Sequence, residues 1–225
     1  MSAAAIAIFG GTFNPVHCGH LRSALELRDR LALAEVRLVP AAVPPLREEP
    51  DCPAALRAEL VELAIAGEPG LVCDRRELER EGPSYTVDTL VELRQEVGAE
   101  QSLCLIVGTD AVAALDRWHR WQELLELAHI VVVTRPGWQW PDTGVVAQWL
   151  AQHLTADVAQ LQATPQGRVL SLELRQLPIS ATEIRELIAA GRSPRYLLPD
   201  AVWEKICETG AFGVTGQRQE QHGIG

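Results

Sequence analysis

The spacing of apolar positions changes several times along the chain, and each change predicts an element. Ala4 to Phe9 is a short, continuously apolar run that stops at Gly10-Gly11, the pattern of a strand buried on both faces of a parallel sheet. From Gly19 the spacing becomes helical: Leu21, Ala24, Leu25 and Leu31 share one face, and Arg22, Glu26, Arg28 and Arg30 lie largely off it. Val36 to Pro40 predicts a second strand, and the Pro/Ala-rich stretch Ala41 to Pro53 an exposed loop. A helix is expected from Ala54 to Ala66, a short strand from Leu71 to Cys73, and a helix from Thr86 to Glu96 capped by Thr86. Leu103 to Val107 and His129 to Thr134 read as strands. The first leads through Gly108-Thr109-Asp110 into another helix, and the second stops at Arg135-Pro136-Gly137. Trp138 to Gly167 is weakly patterned and reads as a helical insertion with loops. Val169 to Leu174 predicts a last strand. Helices then follow over Ser180 to Ala190 and Asp200 to Glu208, each closed by a glycine, Gly191 and Gly210.

Strand–helix alternation of this kind predicts an α/β fold: a doubly wound parallel sheet with helices on both faces, ending in a small helical part. With no repeat and no linker, residues 1–213 are expected to form one domain. Residues 214–225, polar and rich in Gln and Gly, are expected to be a disordered tail. Ligands of such sheets sit beyond the carboxyl ends of the strands. The glycines after the first strand and Gly108-Thr109-Asp110 both fall there.

Composition narrows the functional classes. At 225 residues, 47% hydrophobic and 22% charged, the chain is long enough for one large domain with a real core. No apolar run approaches the roughly 18 residues that cross a bilayer. Met1 to Ile6 has no positive n-region, so no signal peptide is expected. Five widely spaced cysteines without a CxxC argue for reduced thiols in a cytoplasm. A net charge of −10 speaks against general binding to nucleic acid or to an acidic membrane. Lys205 is the single lysine, so arginine must supply nearly all the cationic contacts to an anionic substrate.

Four segments carry chemistry. The first, Gly10-Gly11-Thr12-Phe13-Asn14-Pro15-Val16-His17-Cys18-Gly19-His20, fits neither the dinucleotide fingerprint nor the phosphate loop. Its glycines allow close backbone approach, and Gly19 leaves room where a Cβ would obstruct. His17 and His20, three apart at a helix start, place two imidazoles on one side near the positive end of the dipole. Amides, a helix N-terminus and two imidazoles make a site for a reacting phosphate. The same pair around Cys18 could be half a zinc site, but no second cluster has ligand spacing; two histidines that only pack or face solvent are the other alternative. The second segment, Ile179-Ser180-Ala181-Thr182-Glu183-Ile184-Arg185, holds an S-x-x-E capping box that needs no function. It also gathers helix amides, the Thr182 hydroxyl and the Arg185 guanidinium into a polyphosphate cradle. The third, Ser84-Tyr85-Thr86 before a helix, offers donors to a carboxylate; its alternative is a capped helix. The fourth is Gly108-Thr109-Asp110, a small residue and an acidic cap suited to a ribose, or a helix cap and nothing more.

Taken together and in this order, the segments resemble the nucleotidyltransferases related to class I aminoacyl-tRNA synthetases, with their GGTFxPxHxGH and ISxTxxR signatures. In particular they resemble the bacterial nicotinate-mononucleotide adenylyltransferases, over roughly residues 4 to 212. That resemblance implies a Rossmann-like fold and transfer of the adenylyl group of ATP to nicotinate mononucleotide, releasing pyrophosphate. It implies catalytic roles for His17, His20 and Arg185. ATP contacts are implied for Gly10, Gly11, Thr12, Phe13, Gly19, Gly108, Asp110, Ile179, Ser180 and Thr182. Acceptor contacts are implied for Arg47, Ser84, Tyr85, Thr86 and Trp118, the tryptophan giving a flat surface to the pyridine ring. Mg²⁺ is expected with ATP, with no protein metal site. No nucleic-acid or membrane partner is expected, and monomer and homo-oligomer both stay open.

The chain departs from the family pattern in two places. Asn14 stands where aspartate is more frequent, with little effect expected. Ala41-Ala42-Val43-Pro44-Pro45-Leu46-Arg47 lacks the asparagine usual near Ala41 or Ala42 and the histidine usual at Leu46. Losing one hydrogen bond to a charged group costs about 1.5–3 kcal/mol. Two further readings therefore stay open: transfer to another phosphorylated acceptor, and a catalytically weak paralogue that binds nucleotide.

Overall fold

The computed structural model describes residues 4–45, 50, 52–134, 137–138, 140, 143–175 and 177–214. Strands β1 (Ile6–Gly11), β2 (Glu35–Pro40), β3 (Leu71–Cys73), β4 (Leu103–Gly108), β5 (His129–Thr134), β6 (Leu154–Thr155) and β7 (Val169–Glu173) form one sheet in the order β3-β2-β1-β4-β5-β7-β6. Every neighbouring pair is parallel. The helices are α1 (Cys18–Arg30), α2 (Ala54–Ile65), α3 (Arg76–Glu79), α4 (Thr86–Val97), α5 (Thr109–Ala113), α6 (Leu124–Leu127), α7 (Val145–Ala151), α8 (Ala159–Ala163), α9 (Ala181–Ala189) and α10 (Asp200–Thr209). This is the α/β, Rossmann-like doubly wound architecture expected from the sequence.

The period of two in the strands explains why helices cover both faces. In β4, Cys104 and Ile106 point into one core with Ala24 and Leu27 of α1, Leu60 of α2, Ile184 of α9 and Val202 of α10. Leu103, Leu105 and Val107 point into the other, with Val87, Leu90 and Leu93 of α4 and Leu124 of α6. Every residue of β5 is buried, so a single polar substitution there would face an apolar layer on either side.

The sheet order reverses direction between β1 and β4. All strands run the same way, so the carboxyl ends of these two open a crevice at that reversal, where α/β sheets bind ligands. Two of the three segments expected to meet ATP, the one after β1 and Gly108-Thr109-Asp110 after β4, leave the sheet there.

Several expectations need correction. The first strand runs to Gly11, not Phe9: Gly10 and Gly11 pair with Val39 and Pro40, so the glycines belong to the strand. The 138–167 stretch holds the edge strand β6 beside its two helices, too short for a period of two to register in sequence. α3 was not legible either, being four residues long. Thr86 is the first residue of α4; the capping position is Tyr85, and no side chain caps that end. Asp110 likewise lies in the first turn of α5 with Gly108 at the cap. Residues 215–225 of the expected tail lie outside the described residues. Among the described residues no helix is long and apolar enough to cross a membrane.

Candidate active site

β1 delivers the chain to a turn held by its own aromatic rings. Phe13 takes a left-handed backbone (φ 47°), uncommon for a bulky residue, and is only 2% exposed. Its ring folds over Gly11, where an added Cβ would lie 3.0 Å from the ring edge. The same ring meets His20 edge-on at 5.0 Å between centroids. The side chain of Phe13, expected as an ATP contact, thus packs against Gly11 and His20 in the core. Gly10 has open space where a Cβ would stand, as a close ligand approach requires.

His17 occupies the N-cap of α1 and His20 the third helical position. The two rings stack at 3.6 Å between centroids and 25° between planes, so the spacing of three does bring them together. Nδ1 of His20 accepts from the His17 amide at 3.3 Å, which fixes the ring's orientation. Nδ1 of His17 is buried without a hydrogen-bond partner. Burial lowers the His17 pKa from 6.5 to about 4, so the ring is neutral at pH 7 and carries one N–H donor and one acceptor nitrogen. The sign of the linkage follows. The unfolded chain binds the extra proton between pH 6.5 and 4, so stability falls as pH drops through that window and is flat above it. Thermal unfolding should show this acid limb, worth up to about 3 kcal/mol at 1.36 kcal/mol per unit, and His17→Gln should flatten it.

Gly19 is required by His17. A Cβ at Gly19 would stand 3.0 Å from His17 Nδ1, 3.1 Å from Cε1 and 3.5 Å from the Ile179 carbonyl. Gly19→Ala is expected to displace the His17 ring and lower kcat by about tenfold at unchanged folding, read by turnover together with circular dichroism.

The second motif meets the first through backbone contacts. Arg185 Nη1 donates to the Asn14 carbonyl at 2.7 Å and Nη2 to the Thr182 hydroxyl at 3.4 Å. Ser180 is the N-cap of α9 and its hydroxyl accepts from the Glu183 amide at 3.1 Å, which is the serine half of the expected capping box. The Leu197 carbonyl accepts from the Cys18 amide at 2.9 Å, which secures the α1 start from a third direction. Gly108 and Asp110, both exposed, lie at the end of β4, beyond the neighbouring strand.

On the other side, Ser84 is 9% exposed and its hydroxyl is committed. It accepts from the Ala42 amide at 2.9 Å and the Val43 amide at 3.2 Å, while its own amide donates to the Val43 carbonyl at 2.9 Å. Ser84 thus ties the residue 41–43 loop to the start of α4 rather than presenting a free hydroxyl. Below it, Glu77 is buried and its pKa is raised by desolvation, opposed by hydrogen bonds from Thr89 and Ser84. Tyr85 and Thr86 are half-buried, and the first amides of α4 stand outside the helical ladder. The Tyr85 ring lies 4.4 Å from that of His119, which follows Trp118 directly, so the Ser84–Thr86 turn and the Trp118 segment do converge. Arg47 and Leu46 lie outside the described residues.

Two residues escaped the sequence reading. His119 had no signal beyond its place after Trp118. Arg57 had one: it occupies the buried stripe of α2 with Leu60, Val61 and Ile65, where a charge needs a special partner. Among the described residues no group of three or more His, Cys, Asp and Glu stands as a metal cluster.

The crevice, the histidine pair and the helix starts define a nucleotide-handling α/β protein, and comparison with known proteins narrows the class. A family model described as cytidylyltransferase-like matches residues 8–187. "Probable nicotinate-nucleotide adenylyltransferase" of Cellvibrio japonicus is 54% identical over 89% of this chain and 95% of its own length. The protein of that name from Aeromonas hydrophila is 49% identical over 92% and 96%. The nicotinic acid mononucleotide adenylyltransferase of Plasmodium falciparum, solved with NaAD, shares the fold at a TM-score of 0.68 and 13% identity, covering 95% of this chain and 100% of that one. The chain belongs to the nicotinate-nucleotide adenylyltransferases, within the cytidylyltransferase-like family.

Proposed function

We propose that this chain transfers the adenylyl group of ATP to nicotinate mononucleotide, giving nicotinate adenine dinucleotide and pyrophosphate, a step of NAD biosynthesis carried out in the cytoplasm. The observation that supports it most is the convergence of His17, His20 and the α9 start, joined through Arg185 and Asn14, at the reversal point of the sheet. The 46–54% identity to relatives carrying that name supports the same acceptor.

The chemistry follows from the groups present. A phosphate oxygen of nicotinate mononucleotide attacks the α-phosphorus of ATP, and the bond from that phosphorus to the bridging oxygen of the β-phosphate breaks. The attacking phosphate is already anionic near pH 7, so no general base is needed and catalysis is positioning plus charge stabilisation. Neutral His17 and its stacked neighbour His20 donate to the α-phosphate oxygens as charge shifts. Arg185, Thr182 and the first amides of α9 receive the β- and γ-phosphates, with Ile179 and Ser180 fixing that helix start. Gly10, Gly11, Thr12 and Gly19 leave backbone close to ATP, and Gly108 with Asp110 takes the ribose. ATP enters as its Mg²⁺ complex, the ion held by phosphate oxygens and water.

On the acceptor side, the Thr86 amide at the α4 start takes the pyridine carboxylate, with Tyr85, whose own amide donates to the Pro83 carbonyl at 3.0 Å, shaping the turn beside it, and Trp118 gives the ring a flat wall. Ser84 serves by holding the loop, and Arg47 adds a cation to the acceptor phosphate. Calorimetry with ATP and with nicotinate mononucleotide, followed by pyrophosphate release, tests the reading. Binding of both with turnover supports it; tight ATP binding without turnover on any mononucleotide would sink it.

A further inference from the structure

Arg57 is 1% exposed and, among the described residues, hydrogen-bonds to no carboxylate. Among the described residues its guanidinium donates only to backbone carbonyls: Nε to Cys52 at 3.1 Å, Nη1 to Thr12 at 2.6 Å, and Nη2 to Ala41 at 2.7 Å and Ala42 at 3.3 Å. Those carbonyls belong to three separate segments. Thr12 lies in the turn after β1 that leads to His17 and His20. Ala41 and Ala42 follow β2, and Ala42 with its neighbour Val43 is tied to the Ser84 turn. Cys52 leads into α2. Burying an unpaired charge is costly, and a planar fork that reaches three segments at once is a geometry lysine cannot copy.

We propose that Arg57 is a positioning residue that locks the ATP-side turn to the acceptor-side loop, and so sets the in-line distance between the attacking oxygen and the α-phosphorus. The proposal rests on the adenylyl-transfer reading above. Three observations carry it. The Ala41 amide already donates to the Gly11 carbonyl at 2.9 Å, so the two turns touch directly and Arg57 closes the second tie. Ser84 grips the same loop through the Ala42 and Val43 amides, so Ala42 is held both by Arg57 at its carbonyl and by Ser84 at its amide. This chain has alanine at both 41 and 42, so no side chain there can hold the register and the backbone must be held instead.

The molecule contains its own control. Arg94 fans onto the carbonyls of Gly98 at 3.0 Å, Gln101 at 2.5 Å, Leu127 at 2.5 Å and Pro165 at 3.2 Å. These segments precede β4, β5 and β7, at the opposite edge of the sheet from the crevice. A role confined to stability predicts the same functional outcome for both arginines.

The test compares Arg57→Lys and Arg94→Lys in the full chain, with turnover expressed per folded molecule and each substrate's binding measured alone by calorimetry. Arg57→Lys is expected to lower kcat about a hundredfold, the scale of a 1 Å misplacement, while ATP and nicotinate mononucleotide each bind within about threefold of the unsubstituted chain. Arg94→Lys is expected to lower Tm but keep kcat. If Arg57→Lys does not fold, Arg57→Gln, which keeps two N–H donors and buries no charge, is read in the same way. Unchanged kcat in the folded Arg57 variant, or equal losses for the two arginines, overturns the proposal. Failure of the underlying reading is seen separately, as no turnover by the unsubstituted chain.

Discussion

Replacing His20 by alanine lowers kcat by about a hundredfold to a thousandfold, the scale of losing one preorganised donor at a developing charge. The size follows from how the ring is held. Three constraints converge on it: the stack on His17 at 3.6 Å, the edge contact with Phe13 at 5.0 Å, and the accepted hydrogen bond from the His17 amide at 3.3 Å. A ring fixed in this way contributes to the transition state without reorganising, which is why its loss falls on kcat. Binding of ATP, spread over the amides and Arg185, changes far less. Steady-state pyrophosphate release with saturating ATP measures the effect, and unchanged turnover would remove His20 from the mechanism.

Arg185→Ala carries the second large effect, expected mainly on kcat/KM for ATP. One nitrogen of the guanidinium is committed to the Asn14 carbonyl at 2.7 Å, so the residue proposed to meet phosphate also holds the turn that presents the histidines. Loss of a charged hydrogen bond costs about 1.5–3 kcal/mol, and the released turn adds to it. The sum is a fall of at least about a hundredfold. Arg185→Lys should recover less than a tenth of that, because an ammonium cannot serve phosphate and the Asn14 carbonyl in one plane. Initial rates across ATP concentrations decide between this and a purely structural role, which would leave KM for ATP unmoved.

Much of this arrangement was legible in the sequence. Long apolar runs such as Leu103 to Val107 and His129 to Thr134 announce strands buried on two faces, and the helical spacing after Gly19 announces α1. The three-residue interval between His17 and His20 was enough to predict that the rings share a side. What the sequence concealed depends on contacts between distant segments. Phe13 reads as part of a ligand-binding signature, yet its side chain is in the core because the turn folds it back over Gly11. Ser84 reads as part of a turn offering backbone donors to the acceptor, yet its amide donates to the Val43 carbonyl and its hydroxyl is taken by amides some forty residues earlier in the chain. Thr86 reads as a cap, but the loop tie at Ser84 places the helix start one residue earlier than a threonine cap needs. Arg57 showed only as a charge on an apolar stripe; nothing in the sequence names the four carbonyls that satisfy it.

The central claim is that ATP and a pyridine mononucleotide meet at one crevice between β1 and β4, with the pyridine carboxylate read by the start of α4. The most direct measurement supplies ATP with nicotinate mononucleotide or with nicotinamide mononucleotide, and follows pyrophosphate and dinucleotide together. One dinucleotide per pyrophosphate, with the carboxylate-bearing acceptor preferred by at least about tenfold in kcat/KM, is the expected result, since an amide acceptor forgoes a charge-assisted hydrogen bond. Equal rates with both acceptors, or pyrophosphate release without a dinucleotide, would contradict it.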